Sequence, residues 1–286
     1  MILGLDTASV AGNKNVDWRK AKAGGVSFAF LRSNYGDQQD TAFAREWPRV
    51  LEAGITRGAY LYLRHPRGGG KIKAPEPEAQ AHAMVKTIGG VQPSDFPPTV
   101  DVEFSGDGRA ETGLSARQCL DRVQRCVGAL RNIYGCAPLL YTSARVWRDD
   151  LANLDAPDLM DCPLWLARYP FKPGPAKLGA ALDGVAAPPI PAPRAADPDD
   201  WWFHQYQGDA TSAPGFPSGN VDLNRFNPLV GAFEPLVRPG EGARARWVRD
   251  RLNGTTLADF QSQHGLVPDG VIGPRTFAYL AWQSKP

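Results

Sequence analysis

The chain has 286 residues, 43% of them hydrophobic and eight of them tryptophan, which suits one barrel-sized domain plus a small second one and excludes a disordered chain. Its net charge of +2 gives no ground for a nucleic-acid partner. No stretch approaches the roughly 18 apolar residues a membrane span needs, so a globular monomer without stable membrane insertion is expected.

The opening Met1-Ile-Leu-Gly-Leu-Asp6 has no basic n-region, which predicts synthesis in the cytoplasm without a secretory signal. A first apolar run at 2–5 ends at Asp6. A helix at 16–23 stops at Gly24-Gly25, and 26–32 (VSFAFLR) reads as a strand rich in aromatic and branched residues. Helical spacing of Phe43, Trp47, Val50 and Leu51 predicts a helix over 41–53, closed by Gly54. The pattern continues with a strand at 57–63, a helix at 76–88, a strand at 99–104 and a helix at 115–133. Strands at 139–142, 164–169 and 201–206 follow, and then a segment at 221–226. This alternation predicts an α/β class, a parallel sheet or barrel with helices outside and its chemistry where the strands end.

Two stretches break the rhythm. Residues 67–77 read as a surface loop, and 170–200, rich in Pro, Ala and Gly, as a long loop inserted before the last strand. Beyond 226 a connector leads to helical patterns at 243–252 and 256–264, a Pro-Asp-Gly turn at 268–270 and a helix at 274–282 with Pro274 at its start. The expected organisation is therefore a barrel at 1–230 and a small three-helix domain at 231–286. Cys119, Cys126, Cys136 and Cys162 lack CxxC spacing. The first two, seven apart on a helix, would be about 10.5 Å apart, too far for a disulfide. Reduced core thiols are expected, with a Cys136–Cys162 bridge left open.

Asp101-Val102-Glu103 ends an apolar strand, and residues two apart on a strand share a face. Two carboxylates side by side resist joint ionisation, so one keeps its proton toward neutrality. Glycosidic cleavage needs such a protonated carboxyl for the leaving oxygen and a second group for the developing positive charge. Asp6 ends the first strand and Asp222 lies near the last, so closure into a barrel would bring all four acids to one mouth. Aromatics stand at the same strand ends: Tyr60, Tyr62, Tyr141, Trp165, Tyr169, Trp202 and Tyr206, suited to the apolar faces of sugar rings.

The ordered set Gly4-Leu-Asp6-Thr-Ala-Ser9, Val16-Asp-Trp18, Phe28-Ala-Phe-Leu-Arg32, Gly58-Ala-Tyr60, Pro98-Thr-Val-Asp101-Val-Glu103, Leu140-Tyr141-Thr-Ser143, Pro163-Leu-Trp165, Gln205-Tyr206 and Gly219-Asn-Val-Asp222-Leu-Asn resembles glycoside hydrolase family 25. These are the Chalaropsis-type lysozymes of phage endolysins and bacterial autolysins. The resemblance spans essentially 1–230. It implies a flattened, irregular β/α barrel that cleaves the β-1,4 bond between N-acetylmuramic acid and N-acetylglucosamine in bacterial peptidoglycan. It also implies Glu103 as proton donor, Asp101 as its close acidic partner and Asp6 and Asp222 as flanking catalytic carboxylates. Substrate-binding roles fall to Tyr60, Tyr62, Tyr141, Trp165, Tyr169, Gln205 and Arg32. A substrate-assisted route is expected, in which Asp101 or Asp222 orients the substrate's acetamido group. The chain departs from the family's usual pattern at His204, where a tryptophan is common, and in the length of 170–200. Delivery to the wall would then fall to a phage holin or a secretion system.

The C-terminal run Asp269-Gly-Val-Ile-Gly273-Pro-Arg-Thr276 looks like a peptidoglycan-binding domain of the three-helix type, with Asp269-Gly270 as a tight turn. Arg244, Arg246, Arg249 and Arg251 read as a solvated face. The histidines His65, His82, His204 and His264 are scattered, with no HExxH or other zinc-ligand set and no GxSxG elbow, so no metal or cofactor is expected. The rival reading is a catalytically silent barrel that binds wall glycan as a structural component. Loss of an acid would favour it, and all four are present.

Overall fold

The computed structural model describes residues 2–11, 16–89, 95–134, 137–216, 220–227, 251–268, 270, 276 and 279–280. The first half runs β1 (Leu3–Thr7), α1 (Trp18–Ala23), β2 (Val26–Tyr35), β3 (Gln38–Gln39), α2 (Phe43–Glu52), β4 (Thr56–Tyr62), α3 (Pro77–Ile88) and β5 (Thr99–Asp101). There follow α4 (Ala116–Tyr134), β6 (Leu139–Thr142), α5 (Ala144–Asp149), β7 (Leu164–Ala167), β8 (Gly174–Pro175), β9 (Phe203–Ser212), β10 (Val221–Phe226) and, far along the chain, α6 (Leu257–Gln263). The strands order as β1-β10-β9-β7-β6-β5-β4-β2, and β1 pairs back onto β2, so the α/β barrel is closed.

Every neighbouring pair from β1 through β2, β4, β5, β6 and β7 to β9 is parallel. β10 is antiparallel to both β9 and β1. Its connection from β9, residues 213–220, is shorter than the dozen or so a parallel crossover requires. The hairpin has a functional consequence. The first residues of β10, not its last, reach the rim where the other strands end.

Two apolar layers support this wall. One lies between the strands and the outer helices and includes Leu5, Leu31, Val50, Met84, Val102, Leu120 and Val123. The other fills the barrel with rings: Phe30 stacks on Trp165 at 4.3 Å between centroids, and Phe28, Phe96 and Phe203 pack around it. Two strand glycines make room for these rings. A Cβ on Gly4 would lie 2.3 Å from Phe28, and one on Gly58 2.4 Å from Phe30. Locally, α4 starts on a reciprocal cap: Gln118 N donates to Ser115 Oγ at 3.2 Å and Ser115 N to Gln118 Oε1 at 2.9 Å.

Several expectations shift. β5 is three residues long and stops at Asp101, so Glu103 lies beyond the strand. Pairing persists there, because Val102 N donates to Tyr141 O at 2.8 Å. Helix α5, unforeseen, is capped by Ser143, whose side chain accepts from Val146 N. The loop at 170–200 carries β8 and two 3₁₀ turns, at Gly179–Leu182 and Ala192–Arg194. Arg225 holds it down by donating to the carbonyls of Val185 and Ala186 at 2.9 and 2.8 Å. Trp202 does not reach the rim: it precedes β9 and is buried against Phe226 at the opposite end. Tyr206 faces the outer layer, its hydroxyl on Lys177 O at 2.9 Å, because it alternates with inward Gln205.

Cys119, Cys126 and Cys162 are free buried thiols, and Cys136 lies outside the described residues. Of the C-terminal patterns, α6 is described, with Thr256 Oγ1 accepting from Asp259 N at 3.1 Å. Gly270 has a φ of +69°. The bulk of the helices expected at 243–252 and 274–282, and Asp269 itself, lie outside the described residues. So do Arg244, Arg246 and Arg249, whereas Arg251, read as solvated, is 8% exposed. Leu252, Leu257, Phe260 and Leu280 belong to the same apolar cluster as Trp202, Phe203 and Phe226. Among the described residues no helix is long and apolar enough to cross a membrane.

Candidate active site

The strand ends assemble one acidic rim. Asp6, one residue before the end of β1, sits opposite Asp222, the second residue of the antiparallel β10. Asp101 closes β5 in register with Tyr62 of β4 and Tyr141 of β6. Glu103 follows it by two positions, and the buried Val102 between them points into the outer layer. The inward alternation thus survives past the strand and keeps both acids on the barrel side.

Asp6 is held by two amides: Gln205 Nε2 and Asn224 Nδ2 each donate to its Oδ2 at 2.7 Å. Gln205 also lies 3.4 Å from Asp222 Oδ2, and Asp222 Oδ1 accepts from Asp209 N at 2.7 Å. The carbonyl end of Gln205 accepts from Tyr141 OH at 2.7 Å and Tyr169 OH at 2.5 Å. Beneath them Trp165 Nε1 donates to Asn224 Oδ1 at 2.7 Å. Trp165 is 1% exposed, so its indole is packing and support under the acids; Tyr169 is 52% exposed and open to solvent. Arg32 is pinned by Asp40, Nε to Oδ2 at 2.9 Å, and Ser9 secures the same carboxylate.

Burial sets the protonation of this cluster. It pushes Glu103 up to about 6, Asp222 adding to the rise while the cations Arg145 and Arg32 oppose it. It likewise lifts Asp222 to about 6, against the bond from Asp209 N. Asp6 is raised well above the usual carboxylate range by burial and then by Asp222, with Gln205 and Asn224 pulling it back. Burial and the neighbouring Glu103 and Asp6 charges raise Asp101 in the same direction. Asp101 Oδ1 is buried without a hydrogen-bond partner. The phenol of Tyr60 is held protonated by burial and by Asp6 and Asp101, and that of Tyr62 by burial and Glu103. Among the described residues no group of three metal-ligating side chains could hold an ion.

The sequence singled out Asp6, Asp101, Glu103, Asp222, Tyr60, Tyr62, Tyr141, Trp165, Tyr169, Gln205 and Arg32, and the fold brings these to one end of the barrel. It adds Asn224, which strand alternation from Asp222 would have found, and Asp40 and Arg145, for which no local pattern speaks.

The model of the family described as Glycosyl hydrolases family 25 matches residues 6–215. The chain belongs to that family. Asp222 lies past the matched stretch and reaches the rim through the hairpin of β9 and β10. The chain is 26% identical over 229 residues to Lysozyme M1 of Streptomyces globisporus, covering 79% of this chain and 68% of that protein. It is 27% identical over 282 residues to the autolytic lysozyme of Clostridium acetobutylicum, covering 97% and 71%. Among solved structures, the bacterial lysozyme of Streptomyces coelicolor superposes with a TM-score of 0.61 at 26% identity, over 79% of this chain and 92% of that one. As a family 25 glycosyl hydrolase the chain is an enzyme, and the silent-barrel reading falls away.

Proposed function

We propose that the chain is a muramidase that hydrolyses the β-1,4 bond between N-acetylmuramic acid and N-acetylglucosamine of bacterial peptidoglycan, with Glu103 as proton donor. The observation that carries this reading is the placement of Glu103 at one rim with Asp6, Asp101 and Asp222, where burial pushes it up to about 6 and lets it hold a proton for a leaving sugar oxygen near neutrality. The two relatives named as lysozymes and the solved bacterial lysozyme support the choice of substrate.

The route is substrate-assisted. Asp101, with Oδ1 unpartnered, accepts the N–H of the acetamido group and turns its carbonyl oxygen toward the anomeric carbon. As Glu103 delivers its proton to the leaving oxygen, the acetamido oxygen forms the new bond, and water activated by Glu103 then opens the cyclic intermediate. Asp6, Gln205 and Tyr141 hold the sugar-facing wall in place. Residues 231–286 form the second part of the reading, a peptidoglycan-binding domain that keeps the barrel on its polymeric substrate.

Glu103→Gln tests the assignment. Release of reducing ends from purified sacculi falls about 10²–10⁴-fold while the circular dichroism spectrum and sacculus binding are kept. Turnover near that of the parent would remove Glu103 from its role. Mass spectrometry of the digest identifies the new chain ends, and ends on N-acetylglucosamine in place of N-acetylmuramic acid would overturn the choice of bond. Strands stripped of their acetyl groups resist cleavage if the route is substrate-assisted.

A further inference from the structure

On the side of β6 and β7 the cleft continues past Glu103 into a recess of about 350 Å³, walled by Thr142, Arg145, Arg168, Tyr169 and Pro189. The geometry of donors around this recess is suited to an anion. Arg145 stands near the start of α5, close enough for its charge to act on Glu103. Arg168 follows β7 by one residue, and its backbone is fixed because its carbonyl lies 2.8 Å from His204 Nε2. Arg225 Nε donates to His204 Nδ1 at 3.1 Å, so the other ring nitrogen carries the proton given to Arg168 O. Both arginines are exposed, and neither guanidinium has a hydrogen-bond or ion-pair partner among the described residues. Thr142, the last residue of β6, is 1% exposed, yet its Oγ1 has no hydrogen-bond partner. The hydroxyl is sealed beneath the recess wall, so the recess meets an anion with the two guanidiniums.

Two uncommitted guanidiniums on one recess fit a carboxylate, whose two oxygens accept from a planar fork. Resting on the peptidoglycan reading above, we propose that this recess binds a carboxylate of the peptide attached to muramic acid, so that the enzyme selects peptide-bearing strands. The sugar backbone of such strands offers no charge of its own once the lactyl carboxyl is amide-linked to the peptide. The peptide supplies one. Pro189, from the inserted loop, makes the outer wall, which gives that long segment a place in substrate choice.

The test compares purified glycan strands before and after an amidase has removed their peptides and the lactyl carboxyls so freed have been converted to neutral amides, with the full-length chain as enzyme. The parent cuts the peptide-bearing strands at lower KM. Arg168→Gln raises KM on those strands roughly tenfold, with a loss of less than about twofold on the stripped strands. Arg168→Lys recovers part of the loss, because the charge returns without the fork. Equal losses on both substrates would overturn the proposal by assigning the arginine to the sugar chain. So would a parent that does not distinguish the two substrates. A parent that cuts neither would instead strike at the peptidoglycan reading, and the recess assignment would go with it.

Discussion

Gln205 donates its side-chain amide to Asp6 Oδ2 at 2.7 Å, and this bond ties β9 to β1 across the intervening β10. The same side chain accepts from Tyr141 and Tyr169, so its orientation is fixed at both ends: a flipped amide would face the carboxylate with an oxygen. Gln205→Leu therefore removes one of the two amides on Asp6 and the acceptor that two phenols share. Hydrogen bonds to charged groups contribute about 1.5–3 kcal/mol, which corresponds to a loss in kcat of roughly ten- to a hundredfold. Gln205 acts here through Asp6, so the loss is expected in kcat with KM nearly unchanged. A KM increase at constant kcat would instead make Gln205 a sugar contact.

The pH profile follows from the raised acids. The donor works only while protonated, and Glu103 is pushed up to about 6, so kcat/KM declines as the pH rises through that value. Asp222 titrates in the same region, and the limb belongs to the set of acids jointly. An activity that kept rising to pH 8 would contradict Glu103 as donor.

Arg145 sharpens that expectation. Its charge opposes the rise of Glu103, so Arg145→Gln shifts the falling limb to higher pH. Arg168 has no such influence on Glu103, and Arg168→Gln leaves the limb where it was. The paired profiles, measured on a small soluble substrate, separate the two arginines.

What the sequence made legible was the set of inward acids, because each sits at a strand end and strand ends are marked by apolar runs that stop. Glu103 was read from Asp101 by a spacing of two, and that spacing holds even though β5 itself ends at Asp101. Less visible was everything fixed by distance along the chain. Asn224 reaches Asp6 across 218 positions, and Asp40 anchors Arg32 from a turn with no motif. Trp202 and Tyr206 bound the apolar run of β9, and that position alone reads as the rim. Only the register of that strand shows that one lies at its other end and the other on its outer face. The loop at 170–200 lacks period because it is held by isolated 3₁₀ turns and by bonds to Arg225, Tyr206 and Gln207 of the barrel, neither of which repeats along the chain.

Crowding acids has a cost in stability that can be measured at Asp101. Burial and its neighbours raise its folded-state pKa, so the native protein binds more protons there than the unfolded chain. The sign follows: the contribution is present below the ordinary aspartate value and is lost as the pH rises through the raised one. Asp101→Asn mimics the protonated form and so stabilises at neutral pH, by about 2–4 °C in Tm for each kcal/mol relieved. At pH 4 the two proteins melt together. A variant that melted lower than the parent at pH 7.5 would show that the carboxylate is compensated there, and activity should be lost in either case.

The C-terminal segment offers the last test. Tethering raises the local concentration of substrate around the barrel without changing the chemistry, so its removal should act on the polymer alone. Deletion of residues 235–286 is expected to reduce retention on sacculi by about a hundredfold, while kcat/KM on a short soluble glycan stays within a few fold of the parent. The truncation also takes away Leu252, Leu257, Phe260 and Leu280, which share an apolar cluster with Trp202 and Phe226, so a lower Tm should accompany it. Assays at 20 °C, well below that melt, keep the two effects apart. Undiminished retention of the truncated chain would place wall binding in the barrel cleft and leave the C-terminal segment a purely stabilising role.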